Sequence, residues 1–335
     1  MFTISQAPGK EIMSVQVVCL GEALWDYIAD QPGETLDRVT SWTAYPGGAP
    51  ANVACGLAKL GTPTAFVGAV GTDPEGEELI TILQERGVVM TGIQRYEKNP
   101  TRKVYVTRTE EGDRIFAGFG EVTPTSFADA HLQKNNLPAE LIAAADYLVI
   151  GSLGLAYWDT RSAVQWAIGH CLEHNHRVVL DINWRPMFWA YPEAARPMIQ
   201  GILPVVSILK LTEEEALWLF DTEDLDLISL DLPSVEGILL TKGAAGCDYL
   251  FGSQRGHVPA FPVTVEDTTG AGDAFLAGFL HQLCQGGRSA LGDEVQLQKM
   301  LEYGNAMAAL TVMGKGAIDP QPEAGAIASF LQQQK

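Results

Sequence analysis

The stretch EDTTGAGDAF, Glu266 to Phe275, sets two glycines and an aspartate ahead of an apolar helical run that continues to Leu283. Glycines in the turn that opens a helix leave backbone N–H groups free, and the helix dipole adds positive charge at the same spot. That combination is an anion site. An isolated Gly-Ala-Gly-Asp also fits a plain helix start, with Asp273 favouring the first turn and the glycines allowing the bend. The surrounding sequence decides between the two.

Around that stretch, apolar β-rich runs alternate with helical patterns. Residues 15–21, 65–71, 146–151, 177–181, 205–210 and 237–241 are short, continuous and apolar, as strands buried on both faces are. Helical patterns cover 51–60, 75–86, 160–173, 193–202, 213–220, 271–283 and 295–312. The rhythm predicts an α/β fold, a mostly parallel sheet flanked by helices, with ligands at the carboxyl ends of the strands. Two stretches break it: 27–45 is polar and extended, and 103–109 with 114–119 forms a hairpin pattern turning at 110–113. They predict a small discontinuous β subdomain over about 27–45 and 100–120, of the kind that serves as an active-site lid. The main domain is expected over 13–333, with residues 1–12 a loose tail and Met13 an alternative start.

Composition sets outer limits. The chain has 335 residues, room for one large domain with an appendage. A formal charge of −19 argues against non-specific binding to nucleic acid or an anionic membrane. Five cysteines, an odd number without a C-x-x-C pair, make a poor disulfide framework and point to a reducing, cytoplasmic setting. No apolar run reaches membrane-spanning length, and the N-terminus lacks the pattern of a secretory signal.

With the motifs in place, a resemblance emerges. Asp267 to Phe275 (DTTGAGDAF) resembles one defining motif of the ribokinase-like (PfkB-type) carbohydrate kinases, and Pro46 to Gly61 (PGGAPANVACGLAKLG) resembles the other. Gly21 to Asp26 (GEALWD) is similar to the G-E-x-L-x-D opening of the fructokinase branch, and Asp181 to Trp189 (DINWRPMFW) to its D-x-N-x-R-x-x-x-W element. LTKGAAGC at 240–247, YGNAMAALTV at 303–312 and KGAIDP at 315–320 are similar too. No Walker A lysine loop is present, and in this family the helix-start anion hole holds the phosphates instead.

The resemblance implies an ATP-dependent sugar kinase acting on the primary hydroxyl of a small sugar, fructose first. It implies Asp273 as the base for the attacking hydroxyl, an amide cradle at Ala271, Gly272 and Asp273 opened by Gly270, and Arg185 on the transferring phosphate. An ordinary aspartate, with a pKa of about 4, needs no tuning for that role at neutral pH. For the sugar it implies Asp26, Gly47, Gly48, Asn52 and Asn183, with Tyr105 and Arg108 of the hairpin closing over the ring. For the nucleotide it implies Lys210, Thr241, Lys242, Gly243, Gly246 and Asn305. Mg²⁺ arrives with ATP, and Glu215 orders its water shell, although Thr212 replaces the asparagine of the family's N-x-x-E element. K⁺ is implied beside Asp267 and Thr269, and a homodimer through the lid.

One departure stands out. Fructokinases commonly carry an arginine-asparagine-proline run after the hairpin, where this chain reads AGFGEVTPTSFADAHL at 117–132. Alternatives are a same-fold kinase for ribose, 2-keto-3-deoxygluconate or a nucleoside, and a catalytically silent interaction protein. His170, His174 and His176 suggest a metal cluster by spacing, but a zinc site is not expected from an outer helix running into a turn.

Overall fold

The computed structural model describes residues 15–110 and 114–334. The expected tail and most of the expected hairpin turn lie outside them. In chain order, the first part runs β1 (Val17–Leu20), β2 (Leu24–Ala29), β3 (Trp42–Gly47), α1 (Ala49–Lys59), β4 (Thr64–Gly71), α2 (Pro74–Glu85) and β5 (Val89–Tyr96). Next come β6 (Lys103–Arg108), β7 (Arg114–Gly118), α3 (Ala139–Ala144), β8 (Tyr147–Gly151), α4 (Trp158–Glu173), β9 (Arg177–Asp181) and α5 (Ala195–Gln200). The remainder is β10 (Ile208–Thr212), α6 (Glu213–Phe220), α7 (Leu225–Leu230), β11 (Gly237–Thr241), β12 (Cys247–Phe251), β13 (Gln254–Val258), α8 (Ala271–Gly286), α9 (Glu294–Thr311) and α10 (Ala324–Gln333).

Nine strands form one sheet in the order β13-β12-β11-β10-β9-β8-β1-β4-β5, parallel except at β12 and β13. Alternation in β1 shows why the runs are continuously apolar. Val17 and Cys19 enter the core beneath α1, α2, α8, α9 and α10, while Val18 and Leu20 enter the core beneath α4, α5 and α6. From β1 the chain winds outward to β4 and β5, then returns to β8 and winds the other way. The crevice between β1 and β8 is therefore a topological switch point, where open α/β sheets bind ligands.

Several boundaries differ from expectation. The strand expected over 205–210 begins at Ile208, because Leu203–Val205 coil into a 3₁₀ turn around Pro204. The helix expected over 193–202 is a 3₁₀ turn at Pro192–Ala194 followed by the short α5. The edge strand β5 and the antiparallel β12–β13 hairpin carry mixed polar residues, so they lack the buried-strand pattern.

The second sheet, β3-β2-β6-β7, pairs β2 with β6 in parallel and β6 with β7 antiparallel. Its root is a buried ion pair. Arg102, 1% exposed, donates from Nε and Nη2 to the two carboxylate oxygens of Asp129 at 2.6 and 2.7 Å. Phe119, Phe127, Tyr157 and Phe188 surround the guanidinium, with centroids 4.7–5.6 Å from its central carbon. Glu22, just past β1, is buried as well. Its Oε1 accepts the Ala49 N–H at 3.2 Å, and its Oε2 has no partner among the described residues. Burial raises its pKa to about 8, with nearby Asp129 adding to the effect.

Two predictions follow from these buried charges. Asp129→Ala strands the Arg102 charge in an apolar box and lowers stability by about 3–5 kcal/mol in urea unfolding, whereas a loss below about 1 kcal/mol contradicts the pairing. Glu22 binds a proton on folding, so its contribution is fully present below pH 4.5 and is lost as pH rises through about 8. Glu22→Gln removes that dependence, and its stability advantage over the parent grows between pH 5 and 9 by on the order of a few kcal/mol. A pH-independent difference between the two proteins sinks the assignment.

Candidate active site

A cavity of about 870 Å³ opens at the carboxyl ends of the parallel strands, and Glu22, Leu153, Asp181, Thr212 and Thr241 line it from five of them. The N-terminus of α8 closes one wall. Gly270 sits at φ +75°, and a methyl group there would lie 2.6 Å from the Ala317 side chain, so only glycine makes this turn. Asp267 fastens the turn to a second loop. Its Oδ1 accepts the Thr269 N–H at 3.0 Å and hydroxyl at 2.7 Å, and its Oδ2 accepts the Gly316 N–H at 2.9 Å.

Within the cradle the Ala271 N–H turns back to the Thr268 carbonyl at 3.3 Å. The Gly272 and Asp273 amides are first-turn donors without intrahelical partners, and both residues line the cavity. Asp273 lies beside them, and its Oδ2 accepts from Asn52 Nδ2 at 2.8 Å. Burial raises its pKa to about 6, Asp181 adds to that, and Lys210, Asn52 and Arg185 pull the other way. The expectation of an untuned aspartate is therefore corrected: the site makes this carboxylate more basic than a solvated one.

Beneath the cradle, Lys210 Nζ reaches both oxygens of Asp181, at 2.9 and 2.8 Å, and both side chains are 5% exposed. They are paired in register on β10 and β9. Burial works against the ammonium, but Asp181, Asp273 and Glu215 outweigh it and hold the lysine pKa above its ordinary value. Arg185 is exposed at the cavity wall, donates to the Trp184 carbonyl at 2.9 Å and makes no ion pair among the described residues. Asn183, at φ +39°, lines the same wall.

Glu215 carries a structural role that its spacing alone left open. Its Oε2 accepts the Thr212 N–H at 2.8 Å while its own N–H donates to the Thr212 hydroxyl at 3.2 Å, a complete capping box, and its Oε1 accepts the Trp184 N–H at 2.6 Å. Threonine caps this helix start, as the asparagine of N-x-x-E could also do. Burial and then Asp181 raise the Glu215 pKa. Among the described residues no cluster of three or more His, Cys, Asp or Glu is placed to hold a metal. The donor set fits a cation that brings its own water and phosphate ligands.

On the sugar side, Asp26 lines the cavity, and Gly47 backs it so closely that a methyl group there would lie 2.9 Å from Oδ2. Gly48, at φ +105°, also lines the cavity. Asn52 lines the cavity too: one of its two amide N–H groups is given to Asp273, and its Oδ1 is buried without a partner among the described residues. Tyr105 and Arg108 do not close over the cavity. Alternation along β6 turns Val104 and Val106 inward, while Tyr105 packs on Tyr27 and Trp42, 5.3 and 5.1 Å between centroids, on the opposite face. Arg108 donates to the Ala29 and Asp30 carbonyls at 3.0 and 2.9 Å. Phe116, Met187 and Phe188 complete an apolar wall with the two valines.

At the far end, Thr241, Lys242, Gly243, Gly246 and Asn305 line the cavity together. Lys242 is paired with Glu213 and Asp248 at 3.2 and 3.0 Å. Both amide donors of Asn305 are spent on the Val258 and Pro259 carbonyls, at 3.1 and 3.0 Å, so it fixes the loop after β13. The histidine cluster is structural: His170 and His176 each bond a carbonyl of α3, at Ala139 and Ala143. Glu22 and Asp181 are site residues to which the motifs gave no role, and Lys210, expected at the nucleotide, spends its ammonium on Asp181. Their signal was a charged residue at or just past the end of an apolar strand run.

The geometry can hold a polyanion at one wall and a polyol at the other, with a basic carboxylate between. The family model described as "pfkB family carbohydrate kinase" matches residues 15–324. A curated relative, "Probable fructokinase-6, chloroplastic" of Arabidopsis thaliana, is 37% identical over 327 residues, covering 96% of this chain and 84% of its own. Fructokinase-1 of Zea mays is 33% identical, with 97% and 99% covered. The crystal structure of a fructokinase with bound ATP from Xylella fastidiosa superposes with a TM-score of 0.87 at 28% identity, covering 96% of this chain and 99% of that one. A fructokinase from Vibrio cholerae O395, in a fructose, ADP and calcium ion bound form, gives 0.80 at 27%, with 95% and 99% covered. With the family model spanning nearly the whole chain and relatives above 30% identity over 84% and 99% of their own length, the chain belongs to the pfkB family of carbohydrate kinases.

Proposed function

We propose that the protein is an ATP-dependent fructokinase that transfers the γ-phosphoryl group to the primary hydroxyl of fructose. The observation that carries the reading is the placement of Asp273: a carboxylate with a raised pKa beside the free first-turn amides of α8. Phosphoryl transfer asks a protein mainly for positioning and charge stabilisation. In this reading the Gly272 and Asp273 amides receive phosphoryl oxygens, and Arg185 reaches them from the exposed wall. The attacking hydroxyl gives its proton to Asp273, its oxygen bonds to phosphorus, and the bond to the ADP oxygen breaks. Asn52 holds the carboxylate in place for that step.

Asp26 accepts hydrogen bonds from sugar hydroxyls, and Gly48 with Asn183 borders the ring. Thr241, Lys242, Gly243 and Gly246 border the nucleotide, near the loop that Asn305 fixes. Mg²⁺ bound with ATP would supply charge neutralisation between phosphates, and Glu215, at the cavity wall, is assigned to its water shell. K⁺ is assigned to the loop pair that Asp267 and Thr269 join. The four-stranded sheet acts as the lid, and its outer aromatic face, Tyr27, Trp42 and Tyr105, is assigned to a homodimer contact. Among the described residues no helix is long and apolar enough to cross a membrane, and all five cysteines are free, which supports a reducing cytosolic compartment.

A second reading has its own observation. The apolar wall of Val104, Val106 and Phe116 ends just ahead of the segment that departs from the fructokinase pattern, and it suits another small sugar on the same machinery. ATP consumption against fructose, glucose, ribose, ketodeoxygluconate and adenosine separates the two. Fructose is expected to give the highest kcat/KM, and Asp273→Asn to lower kcat by roughly 10²- to 10⁴-fold. Omission of K⁺ is expected to slow the parent. No turnover on any of them, or undiminished turnover in the variant, overturns the reading.

A further inference from the structure

The Asp181–Lys210 pair is buried, yet it lines the cavity against the first turn of α8. A methyl group on Gly272 would come within 3.1 Å of Lys210 Nζ, so the ammonium sits against the second residue of the cradle. Strand register fixes it there, because Lys210 and Asp181 are Cα partners and both carboxylate oxygens accept from the same nitrogen. A rigid dipole of opposite charges results, with its two ends acting on Asp273 in opposite directions.

We propose that the Lys210–Asp181 pair is a positioning pair that controls the proton occupancy of Asp273 and so places the acid limb of the kinase rate. This rests on Asp273 being the base of the proposed reaction. The groups that face Asp273 are Asn52 from α1, Asp181 at the end of β9, Arg185 in the loop beyond it and Lys210 on β10. Glu215, at the start of α6, faces Lys210 and Asp181. Among these, the pair alone combines a cation and an anion clamped to one another. Asn52 is neutral and Arg185 is exposed, so neither fixes the field as the pair does.

The two halves of the pair give opposite predictions, which a merely structural ion pair does not. With base function in the ionised form, kcat/KM rises with pH through the pKa of Asp273, about 6. Lys210→Met leaves Asp181 uncompensated beside Asp273 and is expected to move that limb up by about one pH unit. Asp181→Asn removes the repulsion and leaves the ammonium to Asp273, moving the limb down by about one unit. The double variant, neutral at both positions, is expected to return near the parent.

The experiment is the pH profile of kcat/KM for fructose, from pH 5 to 9, on the parent and the three variants, with unfolding temperatures recorded alongside. Opposite displacements support the pair as the control of Asp273. Unmoved limbs, or displacements in the same direction, overturn it. A raised KM for ATP with an unmoved limb also overturns it, and makes Lys210 a phosphate contact. If Lys210→Met does not fold, Asp181→Asn and the double variant still decide, since the downward shift must be present in the first and absent in the second. A parent without sugar kinase turnover fails both this inference and the proposed function, whereas turnover with an unmoved limb fails this inference alone.

Discussion

A parallel sheet buried on both faces can expose polar chemistry only where its strands end. Strands β1, β8, β9, β10 and β11 all run the same way, so their carboxyl ends reach one edge together. Val178, Val179 and Leu180 leave no room for charge along β9, and Asp181 follows at once. Likewise Ile208 and Leu209 precede Lys210 on β10. The site is therefore assembled by the same requirement that fills the core. What remains is to bring a helix N-terminus to that edge, which the left-handed Gly270 and the Asp267 staple accomplish.

An acid at an anion site looks self-defeating until the fields are separated. First-turn amides and the helix dipole favour negative charge on Asp273 and on a phosphate alike. Burial and Asp181 oppose ionisation, and Lys210, Asn52 and Arg185 support it. The outcome is a carboxylate that is mostly ionised at neutral pH yet more willing to take a proton than a solvated aspartate. Proton-transfer efficiency follows that balance, because a base works best when its pKa approaches the working pH.

Legibility in the sequence tracked the range of the interaction. The glycines and Asp273 of the α8 start could be read because turn chemistry and capping are local, and the sheet could be read because strands buried on both faces are continuously apolar. The facing of Tyr105 could not: period-two alternation sorts β6 into two faces without saying which one meets the cavity, and Val104 and Val106 take it. Glu215 was readable only as a choice, since a glutamate three residues after a threonine serves equally as a cap or a site acid. The Lys210–Asp181 contact joins residues 29 apart and depends on the register of β9 against β10, which no local pattern encodes. Arg102 and Asp129, 27 apart, were hidden for the same reason.

Arg102 also bears on how the sugar end discriminates. A guanidinium facing the cavity would offer forked donors to hydroxyls, but this one is consumed by Asp129 and enclosed by four rings. The cavity wall that β6 and β7 supply is left apolar, with Asp26 and Gly48 lining the cavity beside it. A sugar ring has an apolar C–H face and a hydroxyl edge, so a one-sided pocket of this kind matches it. Apolar contact separates similar substrates weakly, by roughly 1–3 kcal/mol for each methylene, whereas a buried acceptor left unpaired by the wrong sugar costs far more. In the proposed reaction, choice among sugars therefore falls on the hydroxyls that meet Asp26, while the valine and phenylalanine wall meets the apolar face of the ring.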